Sequence, residues 1–247
     1  NLSILIAKPY SERLINYTKK GVLSDKINAL NEDIKIKGIK KNKTIFPVSL
    51  NFVENKIDEE MFYTVAVTDL TDFFKNKEIQ NCILKISNSV RISTNIKQLY
   101  REIYKNLTSV IATKDFTVSL IIDKKNVKEY NYSDTKKSFE EINSTIGNII
   151  EPILKNKEPL IYCQEQIEYL KEKKEIISSN ESPNSYIGSP LIIDKEIIGV
   201  ISIKSFDESI IYNDEDLNIL NFISDQIAMA IDKVKSVEEM HYLAYYD

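Results

Sequence analysis

The chain has no tryptophan, one histidine, two cysteines and five glycines among its 247 residues, and each shortage excludes something. The lone histidine is His241, close to the C-terminus. A Ser/His/Asp or Cys/His machine therefore cannot be assembled within the body of the chain. Cys82 and Cys163 are far apart and lack the spacing of metal ligands, so two reduced thiols of a cytosolic protein are expected. No metal site and no catalytic residue is expected. Gly188 and Gly199 have neither the spacing nor the helix context of a phosphate loop, and instead relieve crowding in a sheet. No run of about 18 apolar residues occurs, so no membrane span or membrane contact is expected. A basic segment followed by a long apolar one, the mark of a signal peptide, is missing too. The 33 basic and 37 acidic residues are interspersed, with a net charge of −4, and no basic patch points to nucleic acid.

Lys, Ile and Asn dominate, a bias that fits an AT-rich genome and says little about function. The length suggests about two domains at roughly 150 residues each. Because the chain begins at Asn1, a piece of a longer protein is expected. Residues 8–21 read as a short helix ended by Gly21. Ile34–Ile39, Thr44–Val53 and Met61–Thr68 read as three strands of an antiparallel meander. Asn42-Lys43 and Asp58–Glu60 supply polar turns between them, and Pro47 marks an edge or a bulge. This stretch resembles the second half of a PAS domain. The resemblance rests on Lys8-Pro-Tyr-Ser11, Lys40-Lys-Asn-Lys-Thr-Ile-Phe-Pro-Val-Ser49 and the closing Asp69-Leu-Thr71. It implies that Asp69–Thr71 joins the last strand to an outgoing helix, and that residues 1–75 are the C-terminal part of a PAS-like domain with a small core.

From Phe73 to about Val110 the period becomes helical. Ile79, Ile83, Ile86 and Val90 are spaced as in a coiled-coil seam. After a break at Ser93–Asn95, where Ser93 is a candidate cap, Ile96, Leu99, Ile103 and Leu107 continue an apolar face. Asp115–Ile122 and Val127–Tyr132 read as a hairpin across a turn at 123–126. A short helix at Ile146–Leu154, a strand at Pro159–Tyr162, a surface helix at Gln164–Glu175 and a polar loop at Ile176–Asn184 follow. Two more strands, Ile187–Ile193 and Ile197–Lys204, flank a turn at Asp194-Lys195. Asn213 then caps a long amphipathic helix, with Asp214, Glu215 and Asp216 as charges suited to the helix dipole. The order helix, strand, strand, helix, strand, helix, strand, strand, helix predicts an α+β fold, an antiparallel sheet flanked by helices.

Pro183-Asn-Ser-Tyr-Ile-Gly-Ser-Pro-Leu191, Ile198-Gly-Val-Ile-Ser-Ile203 and Tyr212-Asn-Asp-Glu-Asp-Leu217 resemble a GAF domain of the subgroup found upstream of cyclic-di-GMP enzymes and kinases. The resemblance implies a GAF-like sensor over residues 76–235, with helices linking it to its neighbours. No counterpart of the cyclic-nucleotide signature is present, and Cys163 and His241 are not in bilin-attachment contexts. The cofactor is left unknown. A pocket in such a fold would lie between sheet and loops, with Phe116, Ser119, Tyr130, Tyr132, Cys163 and Tyr186 as candidate wall residues. The alternative is that these residues simply fill the core.

Residues 236–247 are expected to be a linker. Within them, Tyr242-Leu-Ala-Tyr-Tyr-Asp247 resembles the opening of a GGDEF domain. Leu220, Ile223, Ile227, Ala230, Val234, Val237, His241 and Ala244 keep a heptad spacing into that linker. These residues and the earlier seam predict a homodimer through helices. The reading is a cytoplasmic bacterial sensor fragment, itself no enzyme, with a possible unidentified small-molecule ligand and a diguanylate cyclase as output. The alternatives are a ligand-free dimerisation spacer and a histidine-kinase input.

Overall fold

The computed structural model describes residues 4–19, 36–57, 60–93, 95–133, 138–147, 149–172 and 183–246. The chain forms two compact units, residues 1–77 and 78–247.

In the first unit, α1 (Tyr10–Lys19) precedes three strands, β1 (Lys37–Ile39), β2 (Ile45–Ile57) and β3 (Glu60–Asp69). The strands form the expected antiparallel meander in the order β1-β2-β3. Lys43, with φ 67°, makes the tight turn before β2, and the Asn42 carboxamide accepts the Thr44 N–H at 3.1 Å. Ile6, Leu14, Ile36, Val48 and Leu50 are the buried core, a small one. The helix starts two residues later than the sequence suggests, and β2 runs four residues beyond Val53. Gly21, Ile34 and the Asp58-Glu59 turn lie outside the described residues. The Asp69 carboxylate accepts both the backbone N–H and the hydroxyl of Thr71, which opens α2 (Thr71–Ile92). These bonds hold the Asp69 carboxyl below its ordinary value.

The second unit contains α2 from Glu78 onward and α3 (Ile96–Leu107), then β4 (Asp115–Ile121), β5 (Asn126–Ser133) and β6 (Ser138–Thr145). Next come α4 (Glu151–Asn156), β7 (Leu160–Cys163), α5 (Gln164–Glu172), β8 (Ser185–Ile193), β9 (Glu196–Ser205) and α6 (Asp214–Tyr246). All six strands form one antiparallel sheet in the order β6-β5-β4-β9-β8-β7. The fold is α+β, as predicted. One strand is new: β6 carries few apolar residues and completes the edge beside β5. α4 starts at Glu151 rather than near Ile146, because Pro152 suits a first turn and not an interior. α3 is capped by Asn95, whose side chain accepts the Gln98 N–H at 2.9 Å, and not by Ser93. Asp194 and Lys195 both have positive φ, which a two-residue turn between strands requires.

Asn213 caps α6 as expected. Its side-chain oxygen accepts the Glu215 and Asp216 N–H groups, while the Asp216 carboxylate accepts the Asn213 N–H at 3.1 Å. This reciprocal arrangement satisfies donors that a helix start leaves open.

The main core lies on one face of the sheet. Val118, Leu120 and Ile201 from the strands meet Leu99 and Ile103 of α3 and Leu220 and Ile227 of α6. Cys82 and Ile86 of α2 join the same core, and the Ser87 hydroxyl reaches the Gln226 side chain at 3.0 Å. A smaller core on the opposite face packs Ile150 and Ile153 around α4, and Ile167 of α5, against Tyr186, Val127 and Val200.

Candidate functional site

Side chains alternate across a strand, so each strand of the sheet serves two faces. On β4, Phe116, Val118 and Leu120 point to the helix-packed core, while Asp115, Thr117 and Ser119 line a cavity on the other face. Cross-strand pairing extends that lining in rows. Thr117 sits between Asn131 of β5 and Ser202 of β9, and Asp115 sits between Ser133 and Lys204. The Lys204 position in turn pairs with Tyr186 of β8. Ile149, Ile150 and Ile167 close the cavity from above, giving about 680 Å³.

The cavity is polar on the sheet side, and opposite it Ile149, Ile150 and Ile167 stand beside Lys171 of α5. The Thr117 hydroxyl donates to the Asn131 side-chain oxygen at 2.7 Å, and the Asn131 amide donates to Glu129 at 3.5 Å. Lys204 is partly buried, and desolvation lowers its pKa, while the Glu129 and Asp115 carboxylates pull it back up. The Tyr186 side chain is fully buried. A Cβ at Gly188 would lie 2.7 Å from the Tyr186 hydroxyl, so a larger residue there would push that polar end aside. The hydroxyl makes no hydrogen bond of good geometry, although it lies within electrostatic reach of Ser202. Burial pushes its pKa up, and the Ser202 contact offsets part of that.

Of the six wall residues read from the sequence, Ser119 and Tyr186 line the cavity. Tyr132 reaches its edge, but its ring packs against Tyr104 and Phe139 with centroids 4.0 and 4.9 Å away. Phe116 and Tyr130 belong to the helix-side core. Cys163 is exposed at the end of β7, where its N–H donates to the Gln166 side chain ahead of α5. Thr117, Glu129, Asn131, Ser202 and Lys204 were not anticipated. Their signal was the alternation itself: the polar positions 115, 117 and 119 interleave with apolar 116, 118 and 120.

The helix residues also divide. Ile86, Ile223, Ile227 and Val234 are buried in the domain's own core, and Ile79, Ile83 and Val90 pack against it. Val234, one of the heptad residues, is only 4% exposed and belongs to the core. Val237 is exposed. Phe222, Met229 and Met240 of α6 are exposed as well, as are Phe73, Leu84 and Ile92 of α2.

The family model described as GAF domain matches residues 93–232, more than half of the chain. The chain belongs to the GAF domain family. GAF domains are sensor and regulatory signalling modules, generally non-catalytic. Among solved structures, the GAF domain of a phosphoenolpyruvate-protein phosphotransferase from Coxiella burnetii is similar, with a TM-score of 0.52 at 14% identity. That match covers 66% of this chain and 98% of the other. A methyl-accepting chemotaxis protein, residues 122 to 287, gives a TM-score of 0.50 at 14% identity over 62% of this chain and 98% of its own. The chromophore-binding domain of a bacteriophytochrome from R. palustris gives 0.50 at 9% identity, covering 95% of this chain and 82% of that one. At these identities the likeness is one of fold. No curated protein matches the chain. No helix among the described residues is long and apolar enough to cross a membrane.

Proposed function

We propose that this GAF domain is the sensory part of a larger cytoplasmic signalling protein. Its cavity takes a small molecule, and the α2 and α6 helices on the other side of the sheet carry the bound state outward. The observation that supports this most is the double use of β4 and β9. Thr117, Ser119 and Ser202 line the cavity, and their chain neighbours Val118 and Ile201 pack against the helices. A ligand with different affinity for two helix arrangements would shift the population between them.

The helices act as a dimer in this reading. Phe222, Met229 and Met240 recur on one exposed face of α6, and α2 runs beside α6 where Ser87 meets Gln226. A second copy of the same face would cover them. The resemblance of residues 242–247 to the opening of a GGDEF domain favours a diguanylate cyclase as output over a histidine kinase. Residues 1–75 are the PAS-like half-domain upstream.

A ligand-free dimerisation spacer is the rival. Native mass spectrometry of the protein after exposure to cell extract separates the two, since a reproducible bound small molecule is expected of a sensor. Met229→Glu should weaken self-association in analytical ultracentrifugation while leaving the domain folded, because Met229 is half exposed. An empty cavity with an intact dimer would establish the spacer, and an unchanged Met229→Glu dimer would remove α6 from the interface.

A further inference from the structure

β6 is the outermost strand of the sheet, paired to β5 alone, and most of it is exposed. β4 and β9 are instead held on both sides. A strand with one partner and few buried contacts is the least costly to displace. Its residues serve both faces. Ser138, Glu140 and Ser144 line the cavity. Phe139 lies on the other face, its ring 4.9 Å from that of Tyr132 and 6.3 Å from that of Tyr100 in α3. The Glu141 carboxylate pairs with Lys128 of β5 and, at 3.0 Å, with Lys97 of α3. Lys97 is the second residue of α3, and the N–H of the first, Ile96, is held by Glu238 of α6. Two carboxylates, one from the cavity wall and one from the end of α6, thus meet at a single helical turn. Tyr100, one turn further along, is fully buried, and its hydroxyl has no hydrogen-bond partner among the described residues. Both carboxylates are within its electrostatic reach. An unpaired buried hydroxyl is unfavourable, so moving either carboxylate onto it gives a second arrangement of the same groups.

We propose that β6 positions the far end of α6 through the first turn of α3, with Glu141 and Glu238 as the two positioning residues. The inference rests on the sensor reading for its purpose, since an occupant that shifts β6 would be felt where α6 leaves the core. Displacing β6 moves Glu141, and Lys97 follows its charge partner. The first turn of α3 then shifts, and the Ile96 N–H moves against Glu238. Beyond Val234, Val237 and Met240 are exposed. Little apolar packing fixes that stretch, so the Glu238 bond can decide its position.

Hydrogen exchange of the purified chain tests the link without any ligand. Glu141→Gln removes the charge that holds Lys97, and Lys97→Met removes its partner. Each should speed exchange at residues 96–98 and in α6 beyond Val234 by about 3-fold, in keeping with a partly exposed ion pair. Lys128→Met, which cuts only the β5 arm, should leave both places unchanged. Glu141→Gln combined with Glu238→Ala should be no faster there than Glu238→Ala alone, because one route has been cut twice. Exchange that changes only in β5 and β6, an additive double variant, or an equal response to Lys128→Met would overturn the inference. So would an even rise across the whole unit, which marks a general loss of stability. If Glu141→Gln does not fold, Lys97→Met, on a half-exposed side chain, decides. Loss of the link would leave the occupancy of the cavity untouched, which native mass spectrometry reads separately.

Discussion

The Glu238 carboxylate of α6 accepts the backbone N–H of Ile96 at 2.9 Å, bridging 142 residues of sequence. Ile96 is the first residue of α3, so a side chain from the exit helix closes an orphan donor at the start of another helix. The bond lies close to where α6 leaves the main core, since Val234 is buried and Val237 and Met240 are exposed. It ties the exit helix to the domain at the point where motion would have to pass.

Glu238→Ala should therefore cost about 1 kcal/mol of stability, the usual value of a lost N-terminal cap. Urea unfolding measures it. Hydrogen exchange should speed up at the amides of residues 96–98 and in α6 beyond Val234, with the sheet strands unaffected. Unchanged exchange at both places would show that the contact does not hold the helix.

Val234 is a core residue, and its replacement should be felt by the whole domain. Val234→Ala removes roughly two methylene equivalents, a loss of about 2 kcal/mol. Val234→Glu buries a charge in the main core and should unfold the domain outright. The melting temperatures of both variants check the order. A folded Val234→Glu with an impaired dimer would return this residue to a partner interface.

Two glycines should respond unequally to alanine. A Cβ at Gly199 would stand 2.2 Å from the backbone oxygen of Ser119, in a central strand that cannot yield. At Gly188 the nearest atoms are the Cδ1 of Ile153 at 2.5 Å and the Tyr186 hydroxyl, both ends of side chains. Gly199→Ala should cost about 3 kcal/mol and Gly188→Ala about 1 kcal/mol, the two ends of the overpacking range. Thermal denaturation of the pair gives the comparison directly.

Alkaline pH should destabilise the second unit. Burial pushes the Cys82 thiol from 9.0 to about 11. It also raises Tyr100, Tyr186 and Tyr212 above their ordinary 10.0, desolvation being the first cause in each. Above pH 9 the unfolded chain releases protons that the folded chain retains, so stability falls as pH rises. The Cys82 contribution is lost between pH 9 and 11, and the tyrosine contribution begins to go at pH 10. Melting temperatures from pH 8 to 11 should decline across that window. At neutral pH a thiol reagent should modify exposed Cys163 alone, and reach Cys82 only after unfolding.

Much of this fold was legible because its elements carry unambiguous periods. The hairpin β8–β9, its two-residue turn at Asp194-Lys195 and the Asn213 cap all stand where the sequence places them. β6 was not legible, since Phe139 and Ile142 are its only large apolar residues and most of the strand is exposed. The seam on α6 shows a different limit. A spacing of three and four residues says that one face of a helix is covered, and Ile223, Ile227 and Val234 are covered by the domain itself. What covers a face is a tertiary fact that periodicity does not carry. The site was only half legible for a similar reason. Aromatic chemistry does not say which face a side chain takes, and Phe116 and Ser119, three apart on one strand, necessarily point to opposite faces.

That alternation on β4 and β9 has an evolutionary consequence. Substitutions at positions 117, 119 and 202 can change the cavity lining while 118, 120 and 201 keep the helix contacts intact. The two faces can therefore diversify as two separate alphabets written on the same strands. A single-residue insertion in either strand would exchange the two alphabets at once, so these strands should tolerate changes of letter and reject changes of length.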